Sequence, residues 1–564
     1  MQQQTSKQIA MHVSVVSIVW NIILSAFKLF AGIIAHSNAM ISDAVHSASD
    51  VFSTIIVMIG VNISSKERDA DHPYGHERFE SLAAIVLALV LLGTSFYLAA
   101  GAVPYDTYNY DYWENIVRTP AAYVPDGAIS AVTLGLEKGF TNPQDICVAP
   151  NGDLYVADTG NNRIIVISGD THQIRRIITQ FDNNGSLDTF NAPAGVCVSQ
   201  KEQLYVADRE NRRVVVLDGD DRVVRIVQNP QSDVLGADFV FKPLKLTVDY
   251  ADRIYCIAQN MFQGIMVFET DGNFSGFFGT IDVTLSLWEK FWKKVATKEE
   301  RSNQTLYIAT EFTGIDIDGD GFVYATNIDK AGEQGVRRLN PRGEDVIKKG
   351  RNAHLGGDLW VSNAGAYAGA SQINDVVYRG HGIYSLLDRK RGRVFTYDHE
   401  GNLLYIFGGL GTQRGTFNTP TAIEQWEDGL LVLDANRGEI YKFAPTEYGT
   451  LINRAVALRH DGDESQAVAL WARVLELDEN NELANSGIGK AYLSSGDNVM
   501  AMKYLKIGMN RDYYSIAFKR YRSDLLRSYM GPVLTAAAAI LAGWWLCRKL
   551  AGSGIFQRRG GKSK

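Results

Sequence analysis

The sequence predicts a multidomain protein: an α-helical transmembrane segment of three spans, a six-bladed β-propeller, short α-helical hairpins and one C-terminal transmembrane helix. Three observations predict it. Apolar runs long enough to cross a bilayer occupy residues 9–34, 39–63 and 81–100, and a fourth occupies 529–547. A strand–turn–strand unit recurs through 140–448, with a 50-residue step between its first three copies. From residue 453 the apolar period changes from that of strands to that of helices.

The 564 residues are 46% hydrophobic and 21% charged, which excludes a mostly disordered chain. At about 150 residues per domain this length predicts three to four domains. The net charge of −7 argues against a nucleic-acid partner, which calls for a basic surface. Cys147, Cys197, Cys256 and Cys547 are too few and too scattered for a disulfide framework or a zinc ribbon.

Within the first hundred residues, Asn21 and Lys28 fall on one face of the first span. The second span carries Asp43, His46 and Asp50, whose spacings of three and four put them on one face. Ionisable groups at membrane depth are costly and mark an ion path or a proton relay, unless they sit hydrated at the interface. His46 and Asp50, four apart, supply two ligands for a divalent ion, and a tetrahedral site needs two more from another helix. In the polar loop 64–80, Asp69, His72 and His76 offer a second set, or form part of an ordinary solvated loop.

The stretch SDAVHSASD (42–50), followed by DADHPYGHERFESLAA (69–84), resembles the first half of the cation diffusion facilitator transporters. That resemblance implies export of Zn²⁺ or a similar divalent ion in exchange for protons, by a homodimer. It implies that His46 and Asp50 are half of the transport site, and that Asp69, His72 and His76 are a loop site. The family has six spans and a cytoplasmic domain, with its other transport ligands on the fifth span. After residue 103 no further transporter helix follows, so those ligands are expected from another polypeptide.

Residues 83–102 also read as a signal-peptide core ending in Ala100-Gly101-Ala102, an A-x-A pattern. The polar, aromatic VPYDTYNYDYW follows it directly. We read a seam near 83–92, where a truncated transporter is joined to an exported protein within that protein's signal sequence. The loop 64–80 carries Lys66, Arg68 and Arg78, which places it in the cytoplasm and everything after 103 outside.

In the middle, FTNPQDICVAPNGDLYVADTGNNRIIVIS (140–168) repeats as FNAPAGVCVSQKEQLYVADRENRRVVVLD (190–218). A third copy begins at Phe241, and weaker ones occupy 312–327, 373–388 and 417–434. Such units bury their faces only when stacked, which a radial arrangement achieves. The Leu-Tyr-Val-Ala-Asp runs followed by Asn-Arg and Val/Ile resemble the NHL-repeat propeller, six copies imply six blades, and 121–131 is the expected closing strand. Asp158 and Asp208 are expected to tie down the next turn through Arg163 and Arg212 or through backbone amides. Asp316, Asp318, Asp320 and Gly321 match the start of a calcium loop, but Asn327 stands where the closing Glu belongs, so a hairpin turn is expected. Cys147 and Cys197 occupy equivalent positions and read as small buried hydrophobes; an exported domain would permit a bridge without requiring one.

His172, His354, His381 and His399 share no repeat position, and no nucleophile elbow, HExxH or phosphate loop occurs. The region is therefore expected to bind without catalysis, as a non-enzyme with no required cofactor. Tyr105, Tyr108, Tyr110, Tyr112 and Trp113 either stack on a glycan or peptide ligand or pack the propeller edge.

The segments beginning at Gly462 and Gly496 lie 34 apart, and Ala467, Leu470, Trp471, Val474 and Leu475 form one helical stripe. The period resembles tetratricopeptide repeats, so short tetratricopeptide-like α-hairpins are expected to cap the propeller or dock a protein. The last span ends in Trp544 and Trp545, and the tail from Arg548 holds six basic residues and no acids, favouring a cytoplasmic end. The expected domains are 1–103 (partial cation-efflux), 104–450 (propeller), 451–527 (hairpins), 528–548 (span) and 549–564 (tail). The expected partners are the lipid bilayer, a second copy through the transporter segment, and a protein, peptide or glycan on the propeller. The expected location is the cell membrane, with propeller and hairpins outside. A divalent-cation antiporter completed by a partner, and a propeller lyase or hydrolase, are the alternative functions.

Overall fold

The computed structural model describes residues 18–28, 30, 47, 51, 54, 55, 59, 85, 88, 103–230, 232, 234–235, 239–280, 311–328, 335–350, 356–359 and 368–552. The chain divides into two compact units, Met1–Ala102 and Val103–Lys564. In the first, an apolar helix α1 covers Ile18–Lys28. The Lys28 ammonium donates to Ser47 Oγ at 3.1 Å. Most of the second and third expected spans lies outside the described residues.

The second unit is built around six antiparallel sheets. Their innermost strands are Asp145–Val148, Pro193–Val198, Pro243–Val248, Phe312–Ile317, Ile373–Tyr378 and Pro420–Trp426. Each touches the next, and the sixth touches the first, so the ring is closed. The second strands, such as Leu154–Asp158 and Leu204–Asp208, are buried along their whole length. Their unbroken apolar runs follow from that: both faces meet a neighbouring blade. The outer strand Ile174–Ile178 is exposed at Arg175 and Ile177 and buried at Ile178, as a strand with one solvent-facing side should be.

Closure uses the strand that the sequence suggested. Tyr123–Ile129 pairs with Glu439–Pro445, with Ile129 opposite Ile440 and Tyr123 opposite Pro445. It completes the sixth blade from the N-terminal side, leaving no gap between the ends of the ring. Tyr123 is fully buried and stacks on Phe407 at 5.0 Å.

The repeat aspartates act as staples. Asp158 accepts from the Thr141 amide (2.8 Å), Asn161 Nδ2 (2.8 Å) and Arg163 Nε (2.7 Å). Asp208 does the same with Asn191, Asn211 and Arg213. The sequence expectation was off by one in the second copy. Arg212 occupies the left-handed turn position at φ +58°, and the strand starts at Arg213, so only Arg213 faces the carboxylate. The Asp316–Gly321 stretch is a hairpin turn: Asp318 Oδ1 accepts from the amides of Asp320 (3.0 Å) and Phe322 (2.9 Å), and its Oδ2 takes Arg338 (3.0 Å). Cys147, Cys197, Cys256 and Cys547 are all free thiols.

A single turn α2 (Ala131–Leu134) precedes the blades. After them come α3 (Glu447–His460), α4 (Glu464–Leu477), α5 (Glu482–Ser495) and α6 (Asn498–Ile507). Thr446, Asp463, Asn481 and Asp497 cap their N-termini through side-chain oxygens, satisfying amides that have no partner within the helix. Consecutive helices pack together, with Trp471 buried and a Cβ on Gly487 only 2.5 Å from its Nε1. The array shares one core with the propeller, in which Tyr123, Phe407 and Phe443 meet Ile452 and Val456. Finally α7 runs unbroken over Arg511–Gly552 and is long and apolar enough to cross a membrane. The expected span 529–547 is thus the far part of a longer helix, whose start packs against α6 through the fully buried Ala517.

Candidate functional site

The inner strands carry a ring of charged side chains in which, among the described residues, no histidine takes part. Aligned on Pro143, Pro193, Pro243, Phe312, Ile373 and Pro420, the third position reads Asp145, Gly195, Lys245, Gly314, Asp375 and Ala422; the fifth reads Cys147, Cys197, Thr247, Asp316, Val377 and Glu424. In five blades a bulge precedes the third position. Such a bulge re-aims the side chain that follows it.

Lys245 of the third blade reaches Asp145 of the first (2.9 Å) and Asp375 of the fifth (2.8 Å). A lysine can hold carboxylates from two non-adjacent blades only where the inner strands converge, on the ring axis. The other oxygens of both acids accept backbone amides of the next blade, Val196 (3.0 Å) and Ile423 (2.9 Å). Asp316 accepts from the Tyr378 amide at 2.6 Å. Burial pushes Asp316 up to about 7 and Asp375 up to about 6, the latter against the pull of Lys245. Burial likewise raises Asp145 and Glu424. Lys245 thus holds two of the four buried carboxylates, and protons supply part of the missing neutralisation.

Near the propeller's edge, the expected stacking aromatics separate into two groups. Tyr108 and Tyr110 are 3% and 7% exposed, with their rings edge to face at 5.6 Å. Both hydroxyls donate to Asp358, Tyr110 at 2.7 Å, and Asp358 is also held by Arg391 (3.0 Å) and Arg393. They are core residues: alternation along Tyr108–Tyr110 turns both rings inward. Tyr105 is half-buried and donates to the Tyr123 carbonyl at 2.8 Å. Trp113 stays 71% exposed beside the half-buried Tyr112.

The hairpin Tyr108–Arg118 borders a polar cleft of about 410 Å³, closed on its other side by the fifth blade and the α4–α5 turn. Asn109, Asp111, Asn402, Asn481 and Glu482 line it, with Tyr397 as an aromatic wall. Side-chain amides, which donate and accept, and carboxylates, which accept, suit a hydroxyl- or amide-bearing ligand. A second cavity of about 540 Å³ lies beside Tyr105, Arg118 and Arg393. His46, Asp50, Asp69, His72 and His76 lie outside the described residues.

Residues 14–105 match the cation efflux transmembrane domain, and residues 140–167 and 190–217 match the NHL repeat. Over 89 residues the chain is 45% identical to an uncharacterised transporter of Methanocaldococcus jannaschii, covering 16% of this chain and 31% of the relative. Over 83 residues it is 42% identical to magnetosome protein MamM of Paramagnetospirillum magneticum, 15% of this chain and 26% of that one. Over 97 residues it is 35% identical to the manganese efflux system protein MneP of Bacillus subtilis, 17% of this chain and 33% of that one. The chain spans about a third of the length of these curated relatives. Among solved structures, a streptogramin B lyase aligns over 57% of this chain and 98% of its own, at 12% identity and a TM-score of 0.35. One polypeptide therefore joins a cation-efflux transmembrane domain segment to an NHL-repeat, six-bladed propeller.

Proposed function

We propose that this chain is a membrane-held binding protein whose exported propeller and tetratricopeptide-like helices capture a glycan or peptide, with the cation-efflux segment serving as an anchor. The observation that carries this reading is the completeness of one part against the partial coverage of the other. The ring of blades closes on itself, whereas the cation-efflux match ends at residue 105, about a third of the way through its relatives. His46 and Asp50 supply two ligands where a tetrahedral ion needs four. The polar cleft lined by Asn109, Asp111 and Glu482 is where the ligand binds. Helix α7, about 60 Å long at 1.5 Å per residue, exceeds a 30 Å hydrocarbon core and leaves about half its length as a stalk.

The identity to a manganese efflux protein favours a second reading, a divalent-cation exporter completed by a second copy or by an intact homologue. Zinc and manganese flux into vesicles holding the purified chain, alone and together with an intact cation-efflux homologue, separates the two. No ion uptake by the chain alone above empty vesicles, and no gain when it is added to the homologue, supports the anchor. Uptake that His46→Ala abolishes overturns it.

A further inference from the structure

We propose that His381, His460 and Asp461 form a divalent transition-metal site that clamps the fifth blade to the helical array. The three come from different elements. His381 sits at the tip of the hairpin between Ile373–Tyr378 and Tyr384–Asp388, His460 ends α3, and Asp461 caps that helix. Their ligand atoms all lie within 4.8 Å of one another. His381 Nδ1 is 2.9 Å from Asp461 Oδ2, and His460 Nδ1 is 3.2 Å from Asp461 Oδ1. Ligands bonded at about 2.0–2.2 Å to a tetrahedral ion stand about 3.4 Å apart, so the two histidine–carboxylate distances have to open by a few tenths of an ångström, and the two imidazole nitrogens, within 4.8 Å of each other, have to close by no more than about 1.4 Å.

The placement of the imidazoles is specific. His381 is held at φ +51°, a conformation rare for a residue with a Cβ, between Gly380 and Gly382, which are also at positive φ. Gly382 leaves the space that the other rings fill: a Cβ there would lie 2.6 Å from His399 Cβ and 2.9 Å from His460 Cδ2. His399 stands edge-on to His460, 5.1 Å between ring centres. Of the four described histidines in this unit, three therefore gather at one junction, and only His172 lies elsewhere. The side chains of His381 and Asp461 are about half exposed and that of His460 somewhat less, so water has access to the remaining coordination positions.

Two imidazoles and one carboxylate with open positions suit Zn²⁺, Mn²⁺, Fe²⁺ or Co²⁺ better than Ca²⁺ or Mg²⁺, which prefer oxygen. Occupation would cross-link two elements that otherwise meet here by hydrogen bonds. Cation concentration would then set the rigidity of the propeller–helix junction. The site uses only residues beyond 380 and is independent of the transport half-site.

The test uses the full chain in detergent. Zn²⁺ binding is counted by equilibrium dialysis for the wild type and for the His381→Ala/His460→Ala double variant. The wild type is expected to hold one equivalent more, whatever the transmembrane segment binds in both. Asp461→Asn should weaken that equivalent at least tenfold. Equal stoichiometry overturns the proposal, leaving Asp461 as a simple hydrogen-bond partner of two imidazoles. A measurement on the wild type alone guards against misfolded variants: diethyl pyrocarbonate labelling with mass-spectrometric readout. Zn²⁺ should protect His381 and His460 but not His172. Labelling unchanged by Zn²⁺ also overturns the proposal.

Discussion

The ammonium of Lys490 lies 2.6 Å from the carboxylate of Glu400, joining the third helix of the array to the last turn of the fifth blade. Arg459 reaches the same carboxylate at 2.6 Å from α3. Burial alone would raise Glu400, but its two cations overcome that and hold it down to about 2. Burial and the neighbouring Arg459 draw Lys490 downward as well, so the gain from the trio sits on the carboxylate. This ion cluster, together with the shared apolar core, makes blade and helices one unit rather than beads on a string.

Glu400→Gln removes the one anion between two buried cations. We expect a loss of about 2–3 kcal/mol at pH 7, seen as a lower urea midpoint. Because the folded carboxyl titrates below its usual range, its contribution is complete above about pH 4.5 and disappears as pH falls through about 2. The gap between variant and wild type should therefore close on acidification. A gap that persists at pH 2 would assign the effect to packing instead.

Lys245→Met strands Asp145 and Asp375 on the axis. Losing one partner of a buried cluster costs about 3 kcal/mol, and replacing the charges together is close to neutral. Chemical denaturation should show a large loss for the single variant, and most of it recovered in Lys245→Met/Asp145→Asn/Asp375→Asn.

Asp316 shows the opposite pH dependence from Glu400. Its carboxyl is raised to about 7, so the folded state keeps a proton that the unfolded chain releases near pH 4. Stability is then lost as pH rises from about 4 to 7. Asp316→Asn should flatten that stretch of the melting-temperature profile. Parallel profiles for the two proteins would show that the group does not titrate there.

Arg213 and Arg212 differ by one position and should differ sharply in consequence. Arg213→Ala leaves the fully buried Asp208 without its guanidinium and should cost about 2–3 kcal/mol in thermal melts. Arg212→Ala, at an exposed turn, should stay within about 0.5 kcal/mol.

The seam that the sequence suggests near residues 83–92 implies two ancestries within one reading frame. Amplifying transcript across codons 80–105 should give a single product if the fusion is expressed. Separate transcripts ending and starting in that interval would assign the two halves to different proteins.

Much of this protein is written locally. The 50-residue period, the alternation of Tyr155 and Tyr205 with their neighbours, and the Asp158 and Asp208 staples determine blades, because strand pairing and tight turns depend on residues close in sequence. The closing strand at Tyr123–Ile129 was legible for the same reason, as an unpaired β segment one strand short of a blade. The helix caps and the apolar run that ends α7 belong to this class too.

What the sequence left undecided depends on residues far apart in the chain. Lys245 meets Asp145 and Asp375 across 100 and 130 residues, and no single repeat reveals the ring, since each blade contributes a different side chain to it. For Tyr108 and Tyr110 the sequence leaves ligand stacking and edge packing both open, and Asp358 and Arg393, 248–285 residues away, decide for packing. His381 and His460, unremarkable alone, become neighbours only when α3 packs against the fifth blade. Local pattern fixes which faces are apolar. Ring closure and helix docking decide which polar groups those faces carry into contact, because burial makes an unpaired charge costly and so selects partners from wherever the fold delivers them.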